Sequence, residues 1–322
     1  MSQALDSAAG ALVTGGAGFL GSHLCTALLE RGHPVVCVDD FSTGRPENVA
    51  HLVGHPRFRL VRADVTDAHA LRIPRLAGLG AVLHLASPAS PLDYLRLPLH
   101  TLETGSLGTR NALGLAREHG ARFLYTSTSE VYGDPRQHPQ NERYWGNVNP
   151  VGPRSVYDEA KRFSEALVTA EAAVHGTDTA IVRLFNSYGP RMRGHDGRAV
   201  PTFIRQALAG EPLTVTGDGR QTRSLTYVAD TVAGILAMLG SDLSGPVNLG
   251  NDAEYSMLEL AQLVLELTGS RSRVEFVERP VDDPAVRRPD ITLARGKLQW
   301  EPQVDAREGL ARTIAWFRDQ AA

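Results

Sequence analysis

Cysteine is nearly absent from this 322-residue chain. Two occur, Cys25 and Cys37, both in apolar stretches and neither in a paired motif. That excludes a disulfide scaffold and a cysteine-based metal centre, and we read both as small buried hydrophobes in a reducing compartment. No metal is expected. A surplus of positive charge is also missing: Lys and Arg total 33 against 36 Asp and Glu, a formal net charge of −3. Nucleic-acid binders usually present a basic face, so no nucleic-acid partner is expected. A local basic pocket for a phosphate stays compatible with that balance. No run approaches about 18 consecutive apolar residues, so no membrane span is expected. Met1 to Gly10 lacks a basic stretch followed by an apolar one, so we expect no signal peptide and a cytoplasmic protein.

What is present is ample apolar material, 42% of the chain, and a regular alternation of short and long segments. Ala11 to Thr14, Pro34 to Val38, Phe58 to Val61, Ala81 to Leu85, Phe123 to Ser127 and Thr179 to Leu184 read as strands. Between them Gly18 to Arg31, Leu95 to His119 and Ser155 to His175 read as helices. Strands alternating with helices predict an α/β fold, a Rossmann-type doubly wound parallel sheet. After Asn186 the alternation weakens and Gly and Pro become frequent. Helices are expected there near Val200 to Ala209, Tyr227 to Leu239 and Met257 to Thr268. We read residues 1–186 as mainly the dinucleotide-binding domain. Residues 187–322 read as mainly a smaller C-terminal substrate-binding lobe, with segments returning to the first domain.

Gly15, Gly18 and Gly21 form G-x-x-G-x-x-G directly after the first strand and at the start of the first helix. Bare backbone there can turn tightly and approach a pyrophosphate, while the helix N-terminus supplies free N–H groups. Phe19 and Leu20 lie inside the same motif. Asp39 ends the second strand, about 20 residues on, where a carboxylate can accept from ribose hydroxyls and repel a 2′-phosphate. NAD is therefore favoured over NADP, a preference that nearby Arg45 tempers. Asp40, Ser42, Thr43 and Gly44 continue that loop. Asp64 and Val65 follow the third strand, where Asp64 either contacts adenine or caps a helix. Leu85, Ala86 and Ser87 end the fourth strand, where ligands approach open sheets.

Tyr157 and Lys161 form Tyr-x-x-x-Lys, and on a helix these positions share a face. An ammonium near a phenol favours the phenolate, which predicts Tyr157 as a base and Lys161 as its partner and a ribose ligand. Thr128, Ser129 and Glu130 follow the fifth strand at the edge where substrate would lie. The isolated histidines His23 and His84 read as packing or capping residues.

Together these motifs resemble the extended short-chain dehydrogenase/reductase family, whose members include epimerases, dehydratases and decarboxylases of nucleotide sugars. Longer blocks are similar to its glucuronate decarboxylase branch, the UDP-xylose synthases. They are His84 to Pro91, Ser127 to Pro135, Tyr144 to Lys161, Phe185 to Met192, Gly217 to Arg223 and Asp282 to Asp290. The resemblance covers nearly the whole chain from Ala11.

It implies NAD-dependent decarboxylation of a nucleotide-linked glucuronate, UDP-glucuronate to UDP-xylose, through a 4-keto intermediate with internal recycling of NADH. It also implies that Glu130 and Ser129 lie near the reacting carboxylate. Arg287 would orient that carboxylate or supply a proton through water, with Arg288 as the alternative. Pro88, Asn186, Arg191, Val200, Phe203 and Arg223 would contact substrate. A homodimer formed through the helices near 95–119 and 155–175 is implied as well.

Sugar 4,6-dehydratases usually carry Thr-Asp-Glu, whose Asp serves as an acid, and Ser129 is a poor one. Two departures stand out. The branch usually reads Lys-Thr-Asn where this chain has Glu103-Thr104-Gly105, which reverses a charge that would help an anionic substrate. It usually has Tyr where this chain has Thr216, which leaves uracil and thymine both open. The competing readings are a nucleotide-sugar 4-epimerase or 4,6-dehydratase and, from another class, a non-catalytic NAD-sensing regulator.

Overall fold

A computed structural model describes residues 9–71 and 78–321. The segment read for a leader therefore lies outside the described residues up to position 8. Six apolar runs form parallel strands: β1 (Gly10–Thr14), β2 (Val35–Asp39), β3 (Phe58–Arg62), β4 (Leu79–His84), β5 (Arg122–Thr128) and β6 (Thr179–Leu184). The later part adds β7 (Ser187–Tyr188), β8 (Leu213–Thr216), β9 (Thr222–Ser224), β10 (Thr226–Tyr227), β11 (Val247–Leu249), β12 (Glu254–Ser256) and β13 (Val274–Val277). Among the described residues one seven-stranded sheet forms, in the order β3-β2-β1-β4-β5-β6-β11, with every pairing parallel. The order reverses between β1 and β4. In open α/β sheets, ligands bind at such a switch point, beyond the carboxyl ends of the strands.

The helices are α1 (Phe19–Glu30), α2 (Pro91–Arg96), α3 (Pro98–Glu103), α4 (Thr109–His119), α5 (Ser155–His175), α6 (Ala199–Ala209), α7 (Val228–Leu239), α8 (Met257–Thr268) and α9 (Ala306–Ala321). The predicted helix from Leu95 to His119 is instead a broken rod. Pro98 begins α3 and cannot donate an N–H to the turn before it, and Leu97 leaves helical geometry at φ −122°, ψ 52°. A wider turn over Thr104–Gly108 then joins α3 to α4. There Gly105 packs against α5: a Cβ on it would stand 2.8 Å from Ala160 Cβ.

Core apolar residues of β1, β2, β4 and β6 pack under α1 and α7, and the same cluster runs on through α6, α8 and α9. A second cluster fills the opposite face of the sheet beneath α4 and α5. Two segments of the later chain join the layers of the large sheet: β11 extends it beside β6, and α7 packs against α1. The others pair locally, β8 with β13 and β9 with β12, and lean over the carboxyl edge of the sheet. Among the described residues no helix is long and apolar enough to cross a membrane.

Candidate active site

The loops at the switch point enclose a cavity of about 800 Å³. Every residue that the sequence reading assigned to cofactor, catalysis or substrate lines this one cavity. Arg45, Glu103 and Arg288 do not.

At one end lies the glycine loop. Gly15 has φ +66°, and a Cβ on it would stand 2.8 Å from Ala86 N, so the loops after β1 and β4 touch through bare backbone. Thr14 Oγ1 accepts from Leu85 N and Ala86 N at 3.2 and 3.3 Å, fixing the second loop to the first strand. Gly18 caps α1 without a side-chain hydrogen bond, and the first turn carries no acid. The N–H groups of that turn are thus left for an anion.

Asp39 is buried, which pushes its carboxyl up, while the N–H groups of Phe41 and Ala17 donate to it at 2.9 Å and oppose that rise. Arg45 is exposed, and its backbone N–H donates to Ala17 O while its carbonyl accepts from Asn48 N. Asp64 caps a turn, not a helix: its Oδ1 accepts from Thr66 N and Oγ1 at 2.8 Å each. Asp40, Asp64 and His100 gather at this end, with His100 Nε2 3.3 Å from Asp40.

This cradle fits a dinucleotide: bare glycine backbone, an uncapped helix N-terminus and a carboxylate at the end of β2. Of the single histidines, His84 sits between Thr14 Oγ1 at 2.7 Å and Thr109 Oγ1 at 3.2 Å. Burial, aided by Lys161, pushes it down to about 3, so it packs as a neutral ring.

At the centre of the cavity α5 presents Tyr157 and Lys161, both buried. Tyr157 stacks on Tyr94, with ring centroids 5.2 Å apart. Lys161 Nζ lies 5.9 Å from the centroid of the Tyr157 ring. Burial and the Glu130 carboxylate push Tyr157 up from its ordinary value, and a hydrogen bond with Thr128 opposes them. Lys161 donates to Thr126 O at 2.9 Å, and burial pushes its ammonium down to about 7.

The other end is built around Glu130. Arg287 Nη1 and Nη2 donate to its two oxygens at 2.5 and 2.8 Å, and Arg154 Nη2 donates at 2.9 Å. Burial alone would raise the carboxyl, but the two guanidinium charges outweigh it and hold Glu130 at about 2. Beside this cluster Arg223 donates twice to Asp283 at 2.9 Å. These five side chains carry three positive and two negative charges. Arg287 Nε is buried and finds no acceptor among the described residues.

Of the two neighbouring arginines, Arg287 is the one that meets Glu130. Arg288 points away, its backbone N–H bonded to Gln140 and its guanidinium 3.8 Å from Glu254. Glu103 is exposed on α3 outside the cavity, so its reversed charge does not face a ligand there.

Arg191 lines the cavity, yet its guanidinium donates to Thr26 Oγ1 at 3.3 Å and reaches His51. Arg193 and Arg198, which the sequence reading did not single out, line the same region, paired with Asp93 and Asp196. Arg154 was also missed. Its one signal was its place in Gly-Pro-Arg just ahead of the Tyr-x-x-x-Lys helix, where a side chain can reach the end of β5. Val200, Phe203, Thr216 and Gln221 form the far wall, and Gln221 Nε2 donates to Thr216 O and Oγ1 at 2.8 Å each.

Known proteins place this arrangement in context. The model of the NAD dependent epimerase/dehydratase family matches residues 11–250. UDP-glucuronic acid decarboxylase 1 of Arabidopsis thaliana is 50% identical over 309 residues, 96% of this chain and 70% of that protein. UDP-glucuronic acid decarboxylase 1 of Danio rerio is 51% identical over 306 residues, 95% of this chain and 72% of that protein.

Among solved structures, UDP-glucose 4-epimerase of Thermotoga maritima with UDP-glucose superposes with a TM-score of 0.90. It is 30% identical and covers 97% of this chain and 100% of its own. The dTDP-glucose 4,6-dehydratase DesIV of Streptomyces venezuelae, with NAD and TYD bound, gives 0.87 at 30% identity, over 96% and 97% of the two chains. With the glycine cradle, the switch-point cavity and the Tyr157–Lys161 pair all in one chain, this protein belongs to the NAD dependent epimerase/dehydratase family.

Proposed function

We propose that this protein converts UDP-glucuronate to UDP-xylose and carbon dioxide, with NAD as a tightly held cofactor. The observation that carries this reading is the Arg154–Glu130–Arg287 cluster at the sugar end of the cavity. It keeps a net positive charge where a sugar carboxylate needs one, and a buried Arg287 N–H there lacks an acceptor among the described residues. The kinship at about 50% identity with UDP-glucuronic acid decarboxylases supports the same substrate.

Gly15, Gly18, Gly21 and the α1 N-terminus would hold the pyrophosphate, Asp39 a ribose, and Lys161 the second ribose. NAD held there supplies a hydride acceptor and, on its nicotinamide ring, a positive charge. Tyr157 takes the C4 hydroxyl proton as the sugar is oxidised and returns it when the ketone is reduced. Thr128 holds the phenol through its hydrogen bond. The 4-ketone makes the C5 carboxylate a β-keto acid, and its carbon–carbon bond breaks with the electron pair passing to the enolate. Arg287 and Arg154 offset the negative charge of the carboxylate and then of the enolate.

Glu130, ionised between two arginines, is not an acid, and Ser129 beside it is a poor one. That chemistry disfavours 4,6-dehydration, in which a leaving hydroxyl must be protonated. Asn186, Arg191, Arg193, Arg198 and Arg223 are assigned to the nucleotide diphosphate, and Val200 and Phe203 to the base.

The test is incubation with UDP-glucuronate, reading nucleotide-sugar mass and released carbon dioxide. Loss of one carboxyl with no net NADH supports decarboxylation. An isomer of unchanged mass overturns it in favour of epimerisation, the activity named for the Thermotoga structure.

The working form is proposed to be a homodimer. Leu95, Leu99 and Leu102 on α2 and α3 and Phe163 on α5 are exposed apolar side chains on adjacent helices. Sedimentation of the L99E/F163E variant as a monomer against a dimeric parent tests this. Two free, buried thiols fit a reducing compartment, which supports a cytoplasmic location.

A further inference from the structure

A second cavity of about 520 Å³ shares a wall with the first, since Arg154 and Asp283 line both. Most of its other lining is polar, including Asp134, Asn149, Arg279 and Asp282, so solvent can occupy it. Asp158 also lines it, one turn along α5 from Arg154 and next to Tyr157 in the chain. Asp158 is 6% exposed, and its Oδ1 is buried with no hydrogen-bond partner among the described residues. The charged groups around it are Glu130, Arg154, Arg287 and Glu159, with Asp134, Arg279, Asp282 and Asp283 across the cavity and the phenols of Tyr94 and Tyr157 nearby. Burial and Glu130 push its carboxyl up to about 8, against the two arginines, so below that pH it is a neutral acid.

The proton balance gives this group a task, if the decarboxylase reading holds. A carboxylate leaving as carbon dioxide and replaced by hydrogen consumes one proton per turnover. Tyr157 cannot supply it, because the proton it takes from the C4 hydroxyl must return to O4. Glu130 is ionised, and a guanidinium does not give up its proton in a protein.

We propose that Asp158 passes this proton inward from the second cavity, through water and past the Arg154–Glu130 wall, to C5 of the sugar. As the C5–carboxyl bond breaks, its electron pair enters the C4–C5 enolate. A bridging water gives a proton to C5 and takes one from Asp158, and the enolate collapses to the 4-ketone. Solvent in the second cavity then reprotonates the Asp158 carboxylate. Asp158 acts through water and is a positioning residue for proton delivery, not a substrate contact.

The test is a single turnover of D158N with UDP-glucuronate, quenched at intervals, with carbon dioxide and UDP-xylose both quantified. In the parent protein the two should rise together. In D158N carbon dioxide should keep the parent rate while UDP-xylose lags by about 10²-fold, the usual weight of a positioned acid. KM should be unchanged, and the fall in kcat above about pH 8 expected of the parent should be absent from the variant.

Because the lag compares two products of the same turnovers, a partly folded sample leaves it intact. If D158N does not fold, N149L, which puts an apolar side chain into the second cavity, should produce the same lag. UDP-xylose keeping pace with carbon dioxide, or both slowed equally, overturns the proposal. Carbon dioxide from the parent with no lag in the variant overturns it alone. No carbon dioxide from the parent overturns the decarboxylase reading with it.

Discussion

Arg287 and Glu130, 157 positions apart in the chain, meet as a two-pronged pair, with each guanidinium Nη donating to a different carboxylate oxygen at 2.5 and 2.8 Å. The loop after β5 brings the glutamate, and a late segment folded back over the sheet edge brings the arginine. Arg154, just ahead of α5, closes on the same carboxylate at 2.9 Å. Arg287 is buried and Glu130 half-buried, so the worth of the pair is set by what happens when one partner is removed.

Removing Arg287 should therefore be far more damaging than removing its neighbour. R287A is expected to lower kcat/KM by about 10³-fold or more, since both charge stabilisation and the fork geometry are lost. R288A should stay within a few-fold of the parent, because that side chain faces Glu254 outside the cavity. Steady-state kinetics with UDP-glucuronate separates the two.

Glu130 should also leave a mark on acid stability. Its carboxyl is held at about 2 in the folded protein against an ordinary 4.5. A folded value below the unfolded one gives stability that is present above about 4.5 and is lost as the pH falls toward 2. Thermal unfolding of E130Q should show a weaker decline across that acid range than the parent. Parallel curves would argue against the ionised pair.

Lys161 should trade stability for function. Burial pushes its ammonium down to about 7 from an ordinary 10.5. Between those values the unfolded chain binds the extra proton, so stability rises with pH through that window, and the full cost applies below about 7. K161M is expected to lose activity and yet melt a few degrees higher at pH 6, with the gap closing toward pH 10. Calorimetry across pH measures this.

The glycine cradle should be intolerant of a single methyl. G15A places a Cβ 2.8 Å from Ala86 N on a residue at φ +66°. A strain of about 1–3 kcal/mol is expected, together with separation of the β1 and β4 loops. NAD titration by calorimetry should show affinity falling by at least about tenfold, while the far-ultraviolet circular dichroism stays that of the parent.

Much of this protein was readable because its signals are local. Strand and helix periods and the Gly15–Gly21 loop each depend on neighbours within a turn or two. Those over Ser155–His175, Thr179–Leu184 and Met257–Thr268 coincide with the observed elements. The break at Pro98 was overlooked because a helical apolar pattern continues on both sides of it. The small strands β7 to β13 were overlooked because two to four residues carry no usable period.

The sequence by itself determined the alternation that builds the sheet, the bare backbone for a dinucleotide and the Tyr157–Lys161 spacing, all through short-range geometry. Only the tertiary structure decided which arginine meets Glu130, that Glu103 faces outward, that Lys161 bonds a carbonyl and not the phenol, and that Asp158 lines the second cavity with its Oδ1 unpartnered among the described residues. Those facts depend on burial and on charges contributed by distant segments, so they exist only once the chain has closed over the edge of the sheet.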